Sequence, residues 1–255
     1  MLTPLRLAVG TLTVLPVGAL PTISPRVAGR AMVLAPLATV PLAAAAAAAG
    51  WLATLVALPA AVVGLLVVAT LALGTRALHL DGLADTADGL GSGWDPGRAL
   101  AVMKRGDVGP MGVVSLLLVL GLQAAGFAAL VVDLATALTA GLLICLSRAA
   151  LVLVCRRGVP AARTSGLGVV VAGTVPGWVA IVVWLLVLVA VGFVNTPAWV
   201  GPVTAGLAAL VVLALVRHCV RRFGGVTGDV MGAAVELALT ILVLGSLLLD
   251  SEVRA

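Results

Sequence analysis

Three aspartates stand close together in a chain that has few acidic residues. Asp81, Asp85 and Asp88 lie in the stretch HLDGLADTADGLGSG and are three of only ten acidic residues among 255. At about 100° per residue, spacings of four and seven place them within roughly 60° of one another on one helix face. Carboxylates this close repel unless a cation lies between them. The pattern predicts a divalent-metal site in which all three are ligands and catalytic candidates.

Magnesium is the metal that the surrounding residues favour. Mg²⁺ takes oxygen ligands and commonly bridges one or two carboxylates to a substrate phosphate. Downstream, Lys104, Arg105 and Asp107 stand beside glycines in AVMKRGDVGPMG, and such basic groups bind phosphate oxygens. The alternative for this segment is an interfacial anchor whose basic side chains reach the lipid headgroups. The alternative for the aspartates is a solvated loop with scattered charge.

The composition indicates a polytopic membrane protein. The chain is 62% hydrophobic, has a mean hydropathy of +1.27, and carries charge on only 10% of its residues. About 20 apolar residues cross the hydrocarbon core as a helix. We therefore expect an all-α transmembrane helix bundle forming one domain, residues 1–255. Seven segments qualify as spans: 31–50, 52–74, 112–132, 135–155, 176–194, 198–216 and 233–249.

The basic residues indicate how the chain is oriented. Of the 15 lysines and arginines, 13 fall in the four longer connections, 1–30, 75–111, 156–175 and 217–232, and the short turns carry none. Positive charge collects on the cytoplasmic side of membrane spans. The aspartates are therefore expected to face the cytoplasm. Leu5–Leu20 is expected to be re-entrant or interfacial; if it spans, the count becomes eight.

A second group of polar residues lies near the last span. In FGGVTGDVMGAAVE, Asp229 and Glu236 are seven positions apart and share a helix face if the helix begins before Asp229. Glu236 and Arg148 both fall inside apolar spans, where an unpaired charge is costly. Each belongs either to a structural ion pair or to the functional site. His79 precedes the aspartates and is a candidate ligand or acid, or part of a hinge.

Several other classes of protein are excluded. The chain has no GxxxxGK[ST], GxSxG or HExxH motif, so a nucleotide-binding P-loop, a serine hydrolase and a zinc protease lack support. Aromatic residues make up only 3% of the chain, which argues against nucleic acid as a partner. The three cysteines are isolated and indicate neither disulfides nor a zinc site.

A set of motifs, in order along the chain, resembles those of one known family. They are LTVLPVG (12–18), HLDGLADTADG (79–89), an MK–x–x–x–x–G–x–x–G segment (103–112), LSRAALVL (146–153), ARTSGLG (162–168) and GGVTGDVMGAAVE (224–236). Together they resemble the cobalamin (5′-phosphate) synthases, which are adenosylcobinamide-GDP ribazoletransferases. The family often has Asp, a small residue and Arg after MK. Here Arg105, Gly106 and Asp107 exchange the two charges.

The resemblance implies the last assembly step of coenzyme B12. Adenosylcobinamide-GDP and α-ribazole, or its 5′-phosphate, would be joined with release of GMP by an inner-membrane enzyme that needs Mg²⁺. Asp81, Asp85 and Asp88 would hold the metal, and one of them or Asp229 would take the hydroxyl proton. The candidate substrate-binding residues are His79, Lys104, Arg105, Asp107, Arg148, Thr227 and Glu236.

Two other functions stay open on the sequence. A CDP-alcohol phosphotransferase also places spaced aspartates at the ends of membrane helices, but its pattern expects an arginine soon after the DG pair, where this chain has Leu83-Ala84-Asp85. A transporter would use Arg148 and Glu236 to line a path. The sequence also leaves open whether the chain forms a homo-oligomer or associates with other cobalamin-assembly enzymes.

Overall fold

The computed structural model of the chain describes residues 2–20, 22–195 and 197–248, and this part is helical. Its only β pairing there consists of two isolated bridges, Arg156 with Val175 and Ala161 with Val226. The predicted all-helical bundle is confirmed. The helices are α1 (Leu2–Leu12), α2 (Pro25–Val33), α3 (Ala35–Ala38), α4 (Val40–Leu55), α5 (Ala60–Gly74), α6 (Leu78–Gly91), α7 (Pro96–Val102), α8 (Pro110–Leu130), α9 (Leu134–Ser147), α10 (Ala150–Val154), α11 (Leu167–Val171), α12 (Gly177–Val194), α13 (Val200–Phe223) and α14 (Gly228–Gly245).

The spans are roughly consistent with the seven that the sequence predicts. Within the described ranges, α8, α9 continued by α10, α12, α13 and α14 are each long and apolar enough to cross a membrane. Helices α5 and α6 pass the same test together, but they are bent by 90° at the break between them. A helix at a right angle to a crossing helix runs along the membrane plane, so we count α5 as the span and α6 as lying outside it. The described ranges therefore contain five helices of sufficient length, or six spans if this bent pair counts as one, and the shorter apolar helix α4 overlaps the first predicted span.

The turn between the first two spans differs from the prediction. The sequence places it at Gly50 and Trp51, but α4 continues through both residues and the turn lies at residues 56–59. Pro59 then caps the start of α5. A β-carbon on Gly50 would lie 2.9 Å from Cγ2 of Val67. This glycine therefore allows two spans to pack closely and does not break the helix.

Helix α1, in the N-terminal stretch, is too short to cross a membrane by itself. Helix α1 has 11 residues, a length of about 16 Å, whereas the hydrocarbon core is about 30 Å thick. After α1 the chain turns back, and Nε of Arg6 donates a hydrogen bond to the carbonyl of Val17 at 3.1 Å. This agrees with the expected re-entrant or interfacial segment.

The bend before α6 sets the direction of the helix that carries the aspartates. Arg76 and Ala77 both have a φ of 55°, in the left-handed region. The Arg76 guanidinium donates to the carbonyl oxygens of Thr13 at 3.0 Å and Gly10 at 3.1 Å, which ties the bend to α1. From there α6 packs chiefly against α14 and α8.

Candidate functional site

The predicted helical face of aspartates is present in α6, and α14 brings a fourth carboxylate to it. The two helices cross so closely that a β-carbon on Gly82 would lie 2.6 Å from the carbonyl oxygen of Asp229. On the other helix, a β-carbon on Gly232 would lie 2.9 Å from Cα of His79. The glycines therefore determine how near Asp229 comes to the face that carries Asp81.

Negative charge accumulates at this crossing. The pKa of the Asp85 carboxyl is raised from its ordinary 3.8 to about 6, first by burial and then by the charges of Asp81 and Asp229. The positive charge of Arg163 opposes part of this rise. The charge of Asp88 also raises the pKa of Asp85, by the smallest amount. A cation bound among these groups would relieve the repulsion.

Asp88 is held differently from the other two aspartates of α6. It is only 9% exposed, and its two oxygens accept backbone hydrogen bonds from Gly109 at 2.7 Å and Gly112 at 2.8 Å. These donors lie at the start of α8, where a helix favours negative charge. Asp88 therefore joins α6 to α8. Its predicted role as a metal ligand stays a prediction.

A pocket of about 200 Å³ opens beside the carboxylates, and four of the predicted residues line it. These are His79, Asp81, Thr227 and Asp229. Thr227 is the N-cap of α14: its hydroxyl oxygen accepts from the amide of Val230 and donates to Oδ2 of Asp229 at 3.1 Å. This threonine both starts the helix and orients the carboxylate at its first turn.

Arg163 also lines this pocket, and it was not among the predicted site residues. Its Nη1 lies 3.4 Å from Oδ2 of Asp229, its Nη2 donates to the carbonyl of Leu100 at 3.4 Å, and its buried Nε has no partner. The backbone just before Arg163 is held by a hydrogen bond that the amide of Ala162 donates to the carbonyl of Val226 at 3.0 Å. The sequence feature that could have indicated Arg163 is the ARTSGLG motif, which contains it.

The comparisons with known proteins agree on one family. The profile of the cobalamin-5-phosphate synthase family matches residues 4–247. The chain belongs to this family. A Nocardioides protein named adenosylcobinamide-GDP ribazoletransferase is 53% identical over 92% of this chain and 93% of its own length. Proteins of the same name from Frankia casuarinae and Stutzerimonas stutzeri are 37% and 39% identical, each over at least 95% of both chains. No solved structure matches the chain.

Other predicted site residues of this family member do not line the pocket. Lys104, Arg105 and Asp107 are exposed in the connection between α7 and α8. The structure does not bring them into contact with the carboxylates of α6. Their predicted phosphate-binding roles stay predictions, and the exchanged charges at 105 and 107 sit where both side chains meet solvent.

Arg148 and Glu236 are buried charged residues inside the bundle. Arg148 is 1% exposed, and its Nη1 donates to the carbonyl of Ile144 and the hydroxyl of Ser147, each at 2.8 Å. Glu236 accepts a 2.8 Å hydrogen bond from Gln123, and the charges of Arg148 and Glu236 attract each other. Both residues also line one small cavity, and the structural and functional roles predicted for them stay predictions.

His79 lies between Glu236 and the pocket. Its Nδ1 lies 3.6 Å from Oε1 of Glu236, while the same residue lines the cavity beside Asp81. The side chain is almost fully buried. At 3.6 Å the two atoms are not hydrogen-bonded, so the start of α6 meets α14 chiefly through the close approach at Gly232.

Replacing Glu236 with glutamine should destabilise the folded protein. The substitution removes the negative charge that attracts the buried Arg148 guanidinium, and leaving a buried polar group less well compensated costs about 1–3 kcal/mol. Thermal unfolding of the purified protein in detergent measures the effect. The double variant Arg148→Met/Glu236→Gln should recover much of the lost stability. An unchanged unfolding temperature in the single variant would show that the pair contributes little.

The carboxylates of α6 have the chemistry needed for a magnesium site. Asp81 and Asp85 are four residues apart in one helix, so their side chains are neighbours. Among the residues that the structure describes, no three His, Cys, Asp or Glu side chains already surround a common point. Mg²⁺ commonly uses only one or two carboxylates and completes its shell with water and substrate phosphates. A pair of aspartates therefore fits such an ion bound together with a phosphorylated substrate.

Proposed function

We propose that this chain catalyses the last assembly step of cobalamin. It would join adenosylcobinamide-GDP to α-ribazole, or to α-ribazole 5′-phosphate, and release GMP. The family match and the names of the relatives support the substrate class. One observation supports the chemistry: Asp81, Asp229 and Arg163 line the same pocket, and their charges act on the neighbouring Asp85.

The proposed reaction transfers a phosphoryl group between two oxygens. A ribose hydroxyl of α-ribazole bonds to the phosphorus attached to cobinamide, and the bond from that phosphorus to the bridging oxygen breaks. GMP leaves with the electron pair of the broken bond. We assign Asp229 to receive the hydroxyl proton, because it lines the pocket on the helix opposite the α6 carboxylates.

Charge on the pyrophosphate has to be neutralised for GMP to leave. Asp81 and Asp85 would hold Mg²⁺, which supplies charge stabilisation at the bridging and leaving oxygens. Arg163 would bind a phosphate oxygen with a fork of donors that suits phosphate geometry. Asp88 would keep α6 in register with α8 through its two backbone hydrogen bonds.

The proposal includes a place in the cell. The apolar helices indicate a membrane protein. The inner membrane is the location that the family resemblance implies, and the distribution of basic residues supports an orientation in which the connections around α6 face the cytoplasm. Both substrates would then reach the pocket from the cytoplasmic side of the lipid bilayer.

A direct assay tests this function. Purified protein in liposomes is incubated with adenosylcobinamide-GDP, α-ribazole and Mg²⁺, and cobalamin and GMP are quantified. We expect equal amounts of the two products, and no product after chelation of the metal. Release of CMP from a CDP-alcohol would instead support the phosphotransferase alternative. If the folded protein releases no nucleotide from either substrate, the proposal is contradicted.

Replacing Arg163 with alanine should lower kcat/KM about 100-fold. A charge-assisted contact to phosphate contributes roughly 1.5–3 kcal/mol, and the variant loses it while Asp229 keeps its bond from Thr227. Lysine at the same position should restore part of the activity through its charge. GMP release measured at several substrate concentrations gives the values. Arg217→Ala on the exposed end of α13 serves as the control, and equal activity in both alanine variants would refute the assignment.

A further inference from the structure

A second large cavity lies against α2, away from the carboxylates. Its volume is about 730 Å³, and three arginines, Arg26, Arg30 and Arg157, contribute to its wall. Met32 of the same helix lines the carboxylate pocket instead. Helix α2 therefore lies between the two cavities. We call the second one the arginine groove.

The arginine groove concentrates positive charge that the protein does not neutralise. Arg26 and Arg30 are four residues apart in α2 and lie on one face. Arg157 follows α10, and its amide donates to the carbonyl of Val175 at 2.8 Å, so its backbone is fixed. All three side chains are exposed, and within the described chain none of them forms an ion pair or a side-chain hydrogen bond.

The remainder of the groove is apolar and lies at the end of a span. Pro176 caps α12, and Trp178 in its first turn is 69% exposed. Tryptophan is enriched where a membrane helix meets the headgroup layer. Beyond it, Ile181 and Leu185 are also exposed and continue the same face of α12 into the membrane.

We propose that the arginine groove binds an anionic phospholipid. The headgroup phosphate would lie against Arg26, Arg30 and Arg157, and an acyl chain would follow the exposed face of α12 beyond Trp178. Basic pockets at the ends of membrane helices have the charge to bind such headgroups. A soluble phosphate would use the arginines alone, whereas the apolar wall that adjoins them matches a molecule with both a phosphate and a chain.

Native mass spectrometry of the detergent-solubilised full-length protein tests this site. The protein is titrated with phosphatidylglycerol and, separately, with phosphatidylcholine. We expect preferential retention of phosphatidylglycerol, and about a tenfold loss of its affinity in Arg26→Gln/Arg30→Gln/Arg157→Gln. The matched control Arg98→Gln/Arg217→Gln/Arg221→Gln removes the same net charge at exposed arginines outside the groove. It should keep the affinity of the unmodified protein.

Three results would overturn the proposal. They are equal retention of the two lipids, an equal loss of affinity in the two triple variants, and displacement of phosphatidylglycerol by glycerol phosphate at comparable concentration, which would identify a soluble-phosphate site. If the groove variant does not fold, Arg30→Gln alone changes one exposed side chain and should weaken phosphatidylglycerol binding about threefold. Unchanged binding in that folded variant would also refute the site.

Discussion

Replacing Asp85 with asparagine should reduce GMP release roughly a thousandfold while the protein stays folded in the membrane. The substitution keeps the size of the side chain but removes one of the two charges proposed to hold Mg²⁺. Asp85 is half-buried at the crossing of α6 and α14, where Asp81 and Asp229 both repel its charge. The same change should therefore make the protein more stable.

The sign of the stability effect follows from the raised pKa of Asp85. That pKa is about 6 in the folded protein against an ordinary 3.8, so ionised Asp85 opposes folding fully above about pH 6, and this penalty disappears below 3.8. After allowance for solvent screening, asparagine should gain about 1 kcal/mol at neutral pH, or roughly 2 °C in unfolding temperature.

A product assay and thermal unfolding of the same preparation check both effects. Asp95→Asn is the control, because Asp95 is exposed at the N-cap of α7 and asparagine caps helices equally well. That variant should keep its turnover. Near-normal turnover in Asp85→Asn would refute the assignment of Asp85, and a lower unfolding temperature would refute the account of its electrostatics.

Replacing Gly82 with alanine should lower activity about 100-fold even though alanine is the better helix former. The added methyl would lie 2.6 Å from the carbonyl oxygen and 3.0 Å from Cα of Asp229, so α6 and α14 would have to separate. A displacement of about 1 Å between catalytic groups costs about this much in rate. Overpacking of this kind also costs roughly 1–3 kcal/mol of stability.

Another helical glycine provides a matched control for this substitution. A β-carbon on Gly121 in α8 would meet no other atom within 4 Å. Gly121→Ala should therefore keep full activity and gain up to about 1 kcal/mol from helix propensity. GMP release and unfolding temperature are measured for both variants. Identical behaviour of the two would show that the close crossing is not needed for the site.

The sequence predicted the helices and the shared face of the aspartates, but not the partner of each side chain. Spacing along α6 shows which way Asp88 points, and its bonds to Gly109 and Gly112 depend on a contact 21 and 24 residues along the chain. The same limit applies to Arg163, which composition placed among the basic residues of a loop. Only the fold brings it to Asp229.

The position of the first turn shows a different limit. Both Gly50 and Pro59 interrupt a continuous apolar stretch, and hydropathy gives no preference between them. The prediction placed the turn at Gly50. In the structure this glycine instead allows tight packing against Val67. In membrane helices small residues serve close contact between helices, so proline was the better signal for the turn.

The right-angle bend after α5 makes the length of that helix matter more than its chemistry. Its outward residues, such as Leu65 and Leu73, are exposed and can be exchanged for other apolar residues. One inserted residue would advance the bend by about 1.5 Å and rotate it by about 100°. Helix α6 would then start in a direction that no longer brings it against α14. Insertions and deletions in α5 should therefore be far more harmful to this enzyme than substitutions on its lipid-facing side.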